Sequence, residues 1–562
     1  MPSPNPQPAM PRSRRQFLAE SSTALAAVAG ASTRTGASTG TSWPTALRRS
    51  AAHSLVIRGG RVFDGSLNGS GRIADVAVDG GRVVAIAPSI ADRGTEEIDA
   101  RGLIVSPGFI DIHSHAESSL AEDPRAESVI RQGVTTIVGG QDGSSRGVEG
   151  PDAFATLLSA VGSYGAAVNV AMMAGLGSIR GQVVGQDDRP ATRAEVESMT
   201  ALVSRALAAG ACGVSSGLEY TPGAFAPLEE LIALCRPLGA RGLPYATHMR
   251  NEDDRLLESI DESIAVARGA RCPLQISHLK TQGPRNWGRL EDAFARVTRA
   301  RQDGLDVAFD RYPYTAYSTG LTNLFPVWSR DGGTAAFLKR LDDPATAPRI
   351  REAALAKVEL IGGWQNVHIT SVRVAEDRAA EGKRLGAYAA SLSTDPYELA
   401  VGLLRRNNGS VGMVGFAMSE ENLDRILAHP QGMVCSDGGG FAIDGPTRRG
   451  SPHPRGIGTF PRVLGRYVRE RKALTLTQAI HKMSMLPASR VGLSDRGRLV
   501  VGAPADIVVF DANTVADTAT YEQPFQYPTG ISAVVVNGAV ALHHGERRGT
   551  GRGEVLRPGG NR

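Results

Sequence analysis

Pro107-Gly108-Phe109-Ile110-Asp111-Ile112-His113-Ser114-His115 follows the apolar run Leu103-Ile104-Val105. Residues two apart on a strand point to the same face, so on a strand the imidazoles of His113 and His115 converge on one point. Imidazole suits zinc and similar first-row ions. A His-x-His pair alone is a weak signal. This one gains weight from its place, because it closes a buried-looking strand and more histidines follow at the ends of later strands.

Working outward, apolar strands alternate with amphipathic helices. Strand ends are expected near Ile112, Val138, Ala171, Val214, Ala246, Ile276, Phe309 and Val434. Helices are expected over 194–208, opened by the capping box Thr192-x-x-Glu195, and over 254–267 and 290–300. Eight strands with intervening helices argue for an α/β chain folded as a (β/α)8 TIM barrel, whose active site sits at the strand C-termini. The stretch of roughly 320–430 is too long for a normal connection and is expected to hold a lid-like insertion. Short strands with glycine turns, such as Asp79-Gly80-Gly81, occupy both ends of the body. The expected organisation is therefore a barrel over 106–489 and a small β-sandwich-like domain built from 53–105 and 490–558.

The polar signals fall where such a barrel places its site. The fifth strand ends in Thr247-His248, the sixth in Ser277-His278-Leu279-Lys280, and the eighth in Cys435-Ser436-Asp437. His113, His115 and Asp437 can hold one divalent ion, and His248 and His278 a second. A bound ion brings the pKa of its water from 15.7 to about 7 and polarises a carbonyl, which is the logic of a metal hydrolase. Asp437 is the natural proton shuttle from that water to a leaving nitrogen.

With these residues the chain resembles the amidohydrolase superfamily and, within it, the N-acyl-D-amino-acid deacylases, or D-aminoacylases, over about residues 53–558. The resemblance is carried by Val105-Ser106-Pro107-Gly108-Phe109-Ile110-Asp111, Ser215-Ser216-Gly217-Leu218-Glu219-Tyr220, Thr247-His248-Met249-Arg250-Asn251-Glu252 and Tyr312-Pro313-Tyr314-Thr315-Ala316. It continues through His453-Pro454-Arg455, Gly458-Thr459-Phe460-Pro461-Arg462 and Ala505-Asp506-Ile507-Val508. It implies a barrel plus a β domain, hydrolysis of a small-molecule N-acyl-D-amino acid, and one or two zinc ions. In it His113 and His115 bind one metal, His248 and His278 the other, and Asp437 is the acid/base. Tyr220, Lys280, Ser318 and Arg448 match positions that hold the substrate α-carboxylate, with Arg180 a further candidate; a cation there gives charge-assisted bonds.

Two departures stand out. Asp142 occupies the place of a metal-binding cysteine, and a carboxylate is harder than a thiolate, so the metal could shift toward Mn2+ or Co2+. Leu176 stands where the family usually has a histidine. Glu219, at the end of the fourth strand, falls where other amidohydrolases place a bridging carboxylate or carboxylated lysine. Asp142 or Glu219 is thus expected to bridge two ions. The rival readings are hydrolysis of a cyclic amide of the hydantoinase or dihydroorotase type, a dipeptidase, and a non-catalytic binding protein on the same barrel. Retention of His113, His115, His248, His278 and Asp437 speaks against the last.

The chain of 562 residues is 41% hydrophobic and 21% charged, ordinary values for a globular enzyme. Its net charge of +5 lies within residues 1–50, where Arg12, Arg14, Arg15, Arg34, Arg48 and Arg49 oppose Glu20 alone. The remainder is neutral, so no nucleic-acid partner is indicated. Ser13-Arg14-Arg15-Gln16-Phe17-Leu18 and the alanine-rich stretch 24–31 read as a twin-arginine export signal, placing the first 45 residues as signal and linker. The expectation is export through the twin-arginine machinery to the periplasm or beyond, with no membrane span in the mature chain. Cys212, Cys235, Cys272 and Cys435 lack metal or disulfide spacing and read as buried free thiols. The sequence sets no oligomeric state.

Overall fold

The computed structural model describes residues 52–145, 150–549 and 552–560, so the export-signal expectation lies outside the described residues. The described residues open with strands His53–Val62, Arg72–Asp79, Arg82–Ala87, Gly94–Asp99 and Ile104–Pro107. They join Ile507–Phe510, Ile531–Val536, Ala539–His543 and Glu546–Arg547 in one nine-stranded sheet. The seam between the two ends of the chain is the antiparallel pair Ile104–Pro107 with Ile507–Phe510. Alternate residues of its strands, among them Leu55, Ile57, Val76, Val105, Ile507, Val509 and Val535, face one apolar core, the period-2 pattern of a half-buried sheet.

Gly108 passes the chain from this sheet straight into the barrel. A Cβ there would lie 2.3 Å from the Thr135 side chain, so only glycine fits. The barrel strands are β1 (Phe109–Asp111), β2 (Val134–Gly139), β3 (Asn169–Met172), β4 (Val214–Gly217), β5 (Tyr245–His248), β6 (Leu274–Ile276), β7 (Val307–Arg311) and β8 (Gly432–Val434). All neighbouring pairs formed by these strands are parallel. At Met173 the third strand changes partner: Met173 N–H donates to Gly139 (2.9 Å), while Ala174 N–H donates to Gly213 (3.1 Å). Closure between β8 and β1 comes from Asp437 N–H to the His113 carbonyl (2.8 Å) and His115 N–H to the Gly438 carbonyl (2.9 Å). The same two bonds that shut the barrel therefore set the spacing of three candidate site residues.

Helices fall where the periodicity places them, at Arg193–Ala209, Leu256–Ala270 and Leu290–Gln302, and the Thr192/Glu195 capping box is formed. Their buried faces pack on β4–β7. Strand ends match the expected positions within two residues except at β4, which begins rather than ends at Val214. Between β7 and β8 a second sheet is inserted, made of Ala316–Gly320, Val367–Ser371 and Gly412–Phe416, all antiparallel, with helices Gly333–Arg340, Ala347–Leu360, Leu385–Ser391 and Pro396–Arg406 around it. All four cysteines are buried and unpaired. No helix among the described residues is long and apolar enough to cross a membrane.

Candidate metal centre

The turns that follow the barrel strands aim polar side chains back over the barrel mouth. Asp142, His278 and Asp437 reach this position by adopting left-handed φ values of 51°, 34° and 48°. A non-glycine residue tolerates that conformation at a cost of order 1–3 kcal/mol, and such strain concentrates at functional sites. Beneath them, Asp111 on β1 accepts bonds from the Ser436 backbone and hydroxyl. Asp310 on β7 accepts the His278 N–H at 2.8 Å and lies 3.5 Å from His113 Nδ1. These two buried carboxylates tie β8, β6 and β1 together under the site.

Asp142 stands at the centre. Its Oδ1 lies 3.4 Å from His113 Nε2 and 3.6 Å from His278 Nε2; its Oδ2 lies 3.4 Å from His115 Nε2 and 3.8 Å from His248 Nδ1. Asp437 Oδ1 is 3.6 Å from His113 Nε2 and 3.2 Å from His115 Nε2. One donor atom from each of His113, Asp142, His278 and Asp437 lies within 4.8 Å of all the others. Four donors held 2.0–2.1 Å from one ion in a tetrahedron lie about 3.3 Å from each other, so these spacings suit an ion of that size. His113 Nδ1, His113 Nε2 and Asp142 Oδ1 are buried without a hydrogen-bond partner. Buried polar atoms are rarely left so, and a bound cation would satisfy His113 Nε2 and Asp142 Oδ1, while His113 Nδ1 faces Asp310. The residues present fit a divalent metal.

Electrostatics agree. Burial would push the Asp142 carboxyl up, but His113 and His278 hold it well below the usual carboxylate range. Burial opposes charge on the histidines, yet Asp142 and Asp437 lift His115 to about 9, and Glu252, Asp142 and Glu219 lift His248 to about 10. Without an ion, protons on the imidazoles must balance the carboxylates. Groups whose folded pKa is raised stabilise fully below the unfolded value of about 6.5 and lose that contribution as pH rises through the folded value. The metal-free protein is therefore expected to lose thermal stability between pH 7 and 10, and saturation with a divalent ion should flatten that loss. Melting curves across this range, with and without ion, measure it.

The structure also redistributes roles expected from the sequence. Tyr220, Lys280 and Ser318 line a cavity of about 1020 Å³ over the cluster. The Tyr220 ring lies 4.7 Å from the His248 ring, tilted 53° to it, and its hydroxyl hydrogen-bonds Thr319 at 3.2 Å. Lys280 enters the cavity with its charge already matched by Glu252. Glu252 is an unforeseen member of the site: it is buried, 3.0 Å from His278 Nδ1, and forms with His248 and His278 a second group of closely spaced donors. Arg455 is another, with Nη1 2.7 Å from Asp437 Oδ2.

Three expectations need correction. Arg448 is exposed, lies over the Phe525 ring and does not line the cavity. Arg180 is buried away from the cavity lining in an ion pair with Glu230 at 2.9 Å. Glu219 is no bridge between histidine pairs: it reaches His248 alone, on the nitrogen that faces away from Asp142. For Arg180 the expected consequence is structural. Arg180→Leu should cost about 3–5 kcal/mol by stranding a buried carboxylate, with KM of the folded enzyme unchanged; denaturant unfolding and steady-state kinetics separate the two.

A closed parallel barrel with histidines and carboxylates converging at its C-terminal mouth defines the amidohydrolase class. The sequence profile of the amidohydrolase family matches residues 96–323 and 440–542. An N-acyl-D-glutamate deacylase from Alcaligenes xylosoxydans xylosoxydans is 37% identical over 87% of this chain and 93% of its own length. A D-aminoacylase from the same organism is 36% identical over 89% and 97%. Among solved structures, an N-acyl-D-glutamate deacylase from Bordetella bronchiseptica, complexed with zinc and a phosphonate mimic of the tetrahedral intermediate, superposes with a TM-score of 0.76 at 34% identity. It covers 90% of this chain and 99% of that one. The chain belongs to the amidohydrolase family and, within it, to the N-acyl-D-amino-acid deacylases.

Proposed function

We propose that the protein hydrolyses the amide bond of N-acyl-D-amino acids, releasing a carboxylate and the free D-amino acid. The observation that carries this is the cluster of His113, Asp142, His278 and Asp437 donors, at ion-binding spacing, on the floor of a large cavity at the strand ends. Kinship with the deacylases supplies the substrate class. His113, His115, Asp142, His248, His278 and Asp437 are the residues that would hold one or two divalent ions. A metal there supplies a nucleophilic water at neutral pH and polarises the scissile carbonyl.

The chain's own groups do the rest. Asp437 Oδ1 faces the histidine cluster and is placed to take the proton of the attacking water and pass it to the leaving nitrogen. Arg455 holds Oδ2 of the same carboxylate at 2.7 Å, which fixes the orientation of the shuttle. Lys280, Tyr220 and Ser318 border the cavity and serve the substrate α-carboxylate, Lys280 by exchanging part of its bond with Glu252. Zinc is the ion of reference; the oxygen and nitrogen donor set, with no thiolate, also accommodates Mn2+ and Co2+. The arginine pair Arg14-Arg15 supports export of the folded, metal-loaded protein through the twin-arginine route.

A panel of N-acetyl-D- and L-amino acids, D-dipeptides and hydantoins, assayed with zinc, manganese and cobalt, tests the assignment. Turnover confined to acyl-D-amino acids supports it. Turnover of hydantoins or dipeptides in their place would reassign the reaction.

A further inference from the structure

Glu219 follows β4 and is buried, and most of what holds it comes from the inserted segment between β7 and β8. Its Oε2 accepts a bond from Asn323 Nδ2 at 3.1 Å, its Oε1 lies 3.6 Å from Lys357 Nζ, and its backbone carbonyl accepts a bond from Arg330 Nη2 at 3.0 Å. Lys357 sits on the inserted helix Ala347–Leu360 and is anchored to the barrel by Asp253 at 2.6 Å. On its other side Glu219 Oε2 meets a single barrel side chain, His248 Nε2, at 3.1 Å. The opposite nitrogen of that ring, Nδ1, faces His278 Nε2 at 3.0 Å and Asp142 Oδ2 at 3.8 Å.

A carboxylate on one nitrogen of an imidazole keeps the proton there and leaves the lone pair on the other, which orients the ring as a ligand. We infer that Lys357 and Asn323 of the insertion are positioning residues, which clamp Glu219 so that it presents His248 Nδ1 to the metal centre. The insertion is then part of the metal site although none of its side chains reaches the ion cluster. Glu219 acts through His248 rather than as a bridging ligand. The coupling runs through one contiguous chain of contacts, Asp253–Lys357–Glu219–His248. This rests on the metal-centre reading above and adds to it a role for a segment that lies outside the barrel strands.

The test is metal affinity, measured by titrating metal-free protein with Zn2+ against a chromophoric chelator. Lys357→Met should weaken zinc binding about 10–100-fold, the range found when the partner of a ligating histidine is removed, and Lys357→Arg should recover most of it. Asn323→Ala, at a half-buried position with less structural weight, should weaken binding in the same direction, and it carries the test if Lys357→Met fails to fold. Unchanged zinc affinity in the folded variants, with only a lower Tm, would overturn the proposal by leaving the contacts a purely structural role. A wild-type protein that binds no zinc would instead overturn the metal-centre reading itself, so the two failures are distinct.

Discussion

Asp437→Asn is expected to lower kcat by roughly 10²–10⁴-fold while the protein keeps its bound metal, the range for loss of a general acid–base. The carboxylate divides its two oxygens between the histidine cluster and Arg455. Oδ1 lies 3.2 Å from His115 and 3.6 Å from His113, whereas Oδ2 is taken up by Arg455. Burial would raise the Asp437 carboxyl, but Arg455 and the histidines His278 and His113 hold it low, so it is ionised in the metal-free chain. Asparagine preserves the shape and a donor oxygen but cannot take a proton. The variant should therefore fold, retain metal by elemental analysis and turn over slowly. A kcat near that of the parent would remove Asp437 from the proton path.

The second large effect falls on Asp142. Asp142→Ala removes a carboxylate that approaches His113, His115, His248 and His278, and should abolish stoichiometric metal binding together with activity. Removing a partner that only orients a ligand costs 10–100-fold in affinity, and removing the central carboxylate should exceed that. Asp142→Cys should restore binding with the preference moved toward zinc over manganese, because a thiolate is the softer donor. Elemental analysis of both variants after dialysis against mixed ions reads the outcome. Full occupancy in Asp142→Ala would assign the centre to the other donors.

The site was most legible where chemistry coincides with strand periodicity. His113-x-His115 at the end of an apolar run, and the polar ends of β5, β6 and β8, project from the barrel by geometry alone. Period-3.6 patterning with a capping box placed the helix Arg193–Ala209 within a residue at each end. β4 was misplaced because Val214-Ser215-Ser216-Gly217 is small and polar, and its burial comes from its neighbours. Glu219 lies two residues beyond its strand, as His113 and His278 lie beyond theirs, but its carboxylate is engaged by Asn323 and Lys357 of the insertion.

Other misses share one cause, that a charge's partner is distant in sequence. Arg180 finds Glu230 fifty residues away, and no local signal distinguishes a buried ion pair from a substrate-binding cation. Glu252 and Arg455 both stood inside segments that carried the family resemblance. Each reads locally as loop polarity, and only the folded chain brings them to His278 and Asp437. The insertion was legible as an overlong connection, while its three short strands pair across 41 to 100 residues and left no local trace.

The most direct measurement compares the metal-stripped and metal-reloaded enzyme on one N-acetyl-amino acid in both enantiomers. Turnover of the D form that disappears with chelator, returns with stoichiometric divalent ion and is absent for the L form is the predicted result. Turnover unaffected by removal of the metal, or none of the D form at any metal loading, would contradict a metal-dependent D-amino-acid deacylase built on the Asp142 cluster.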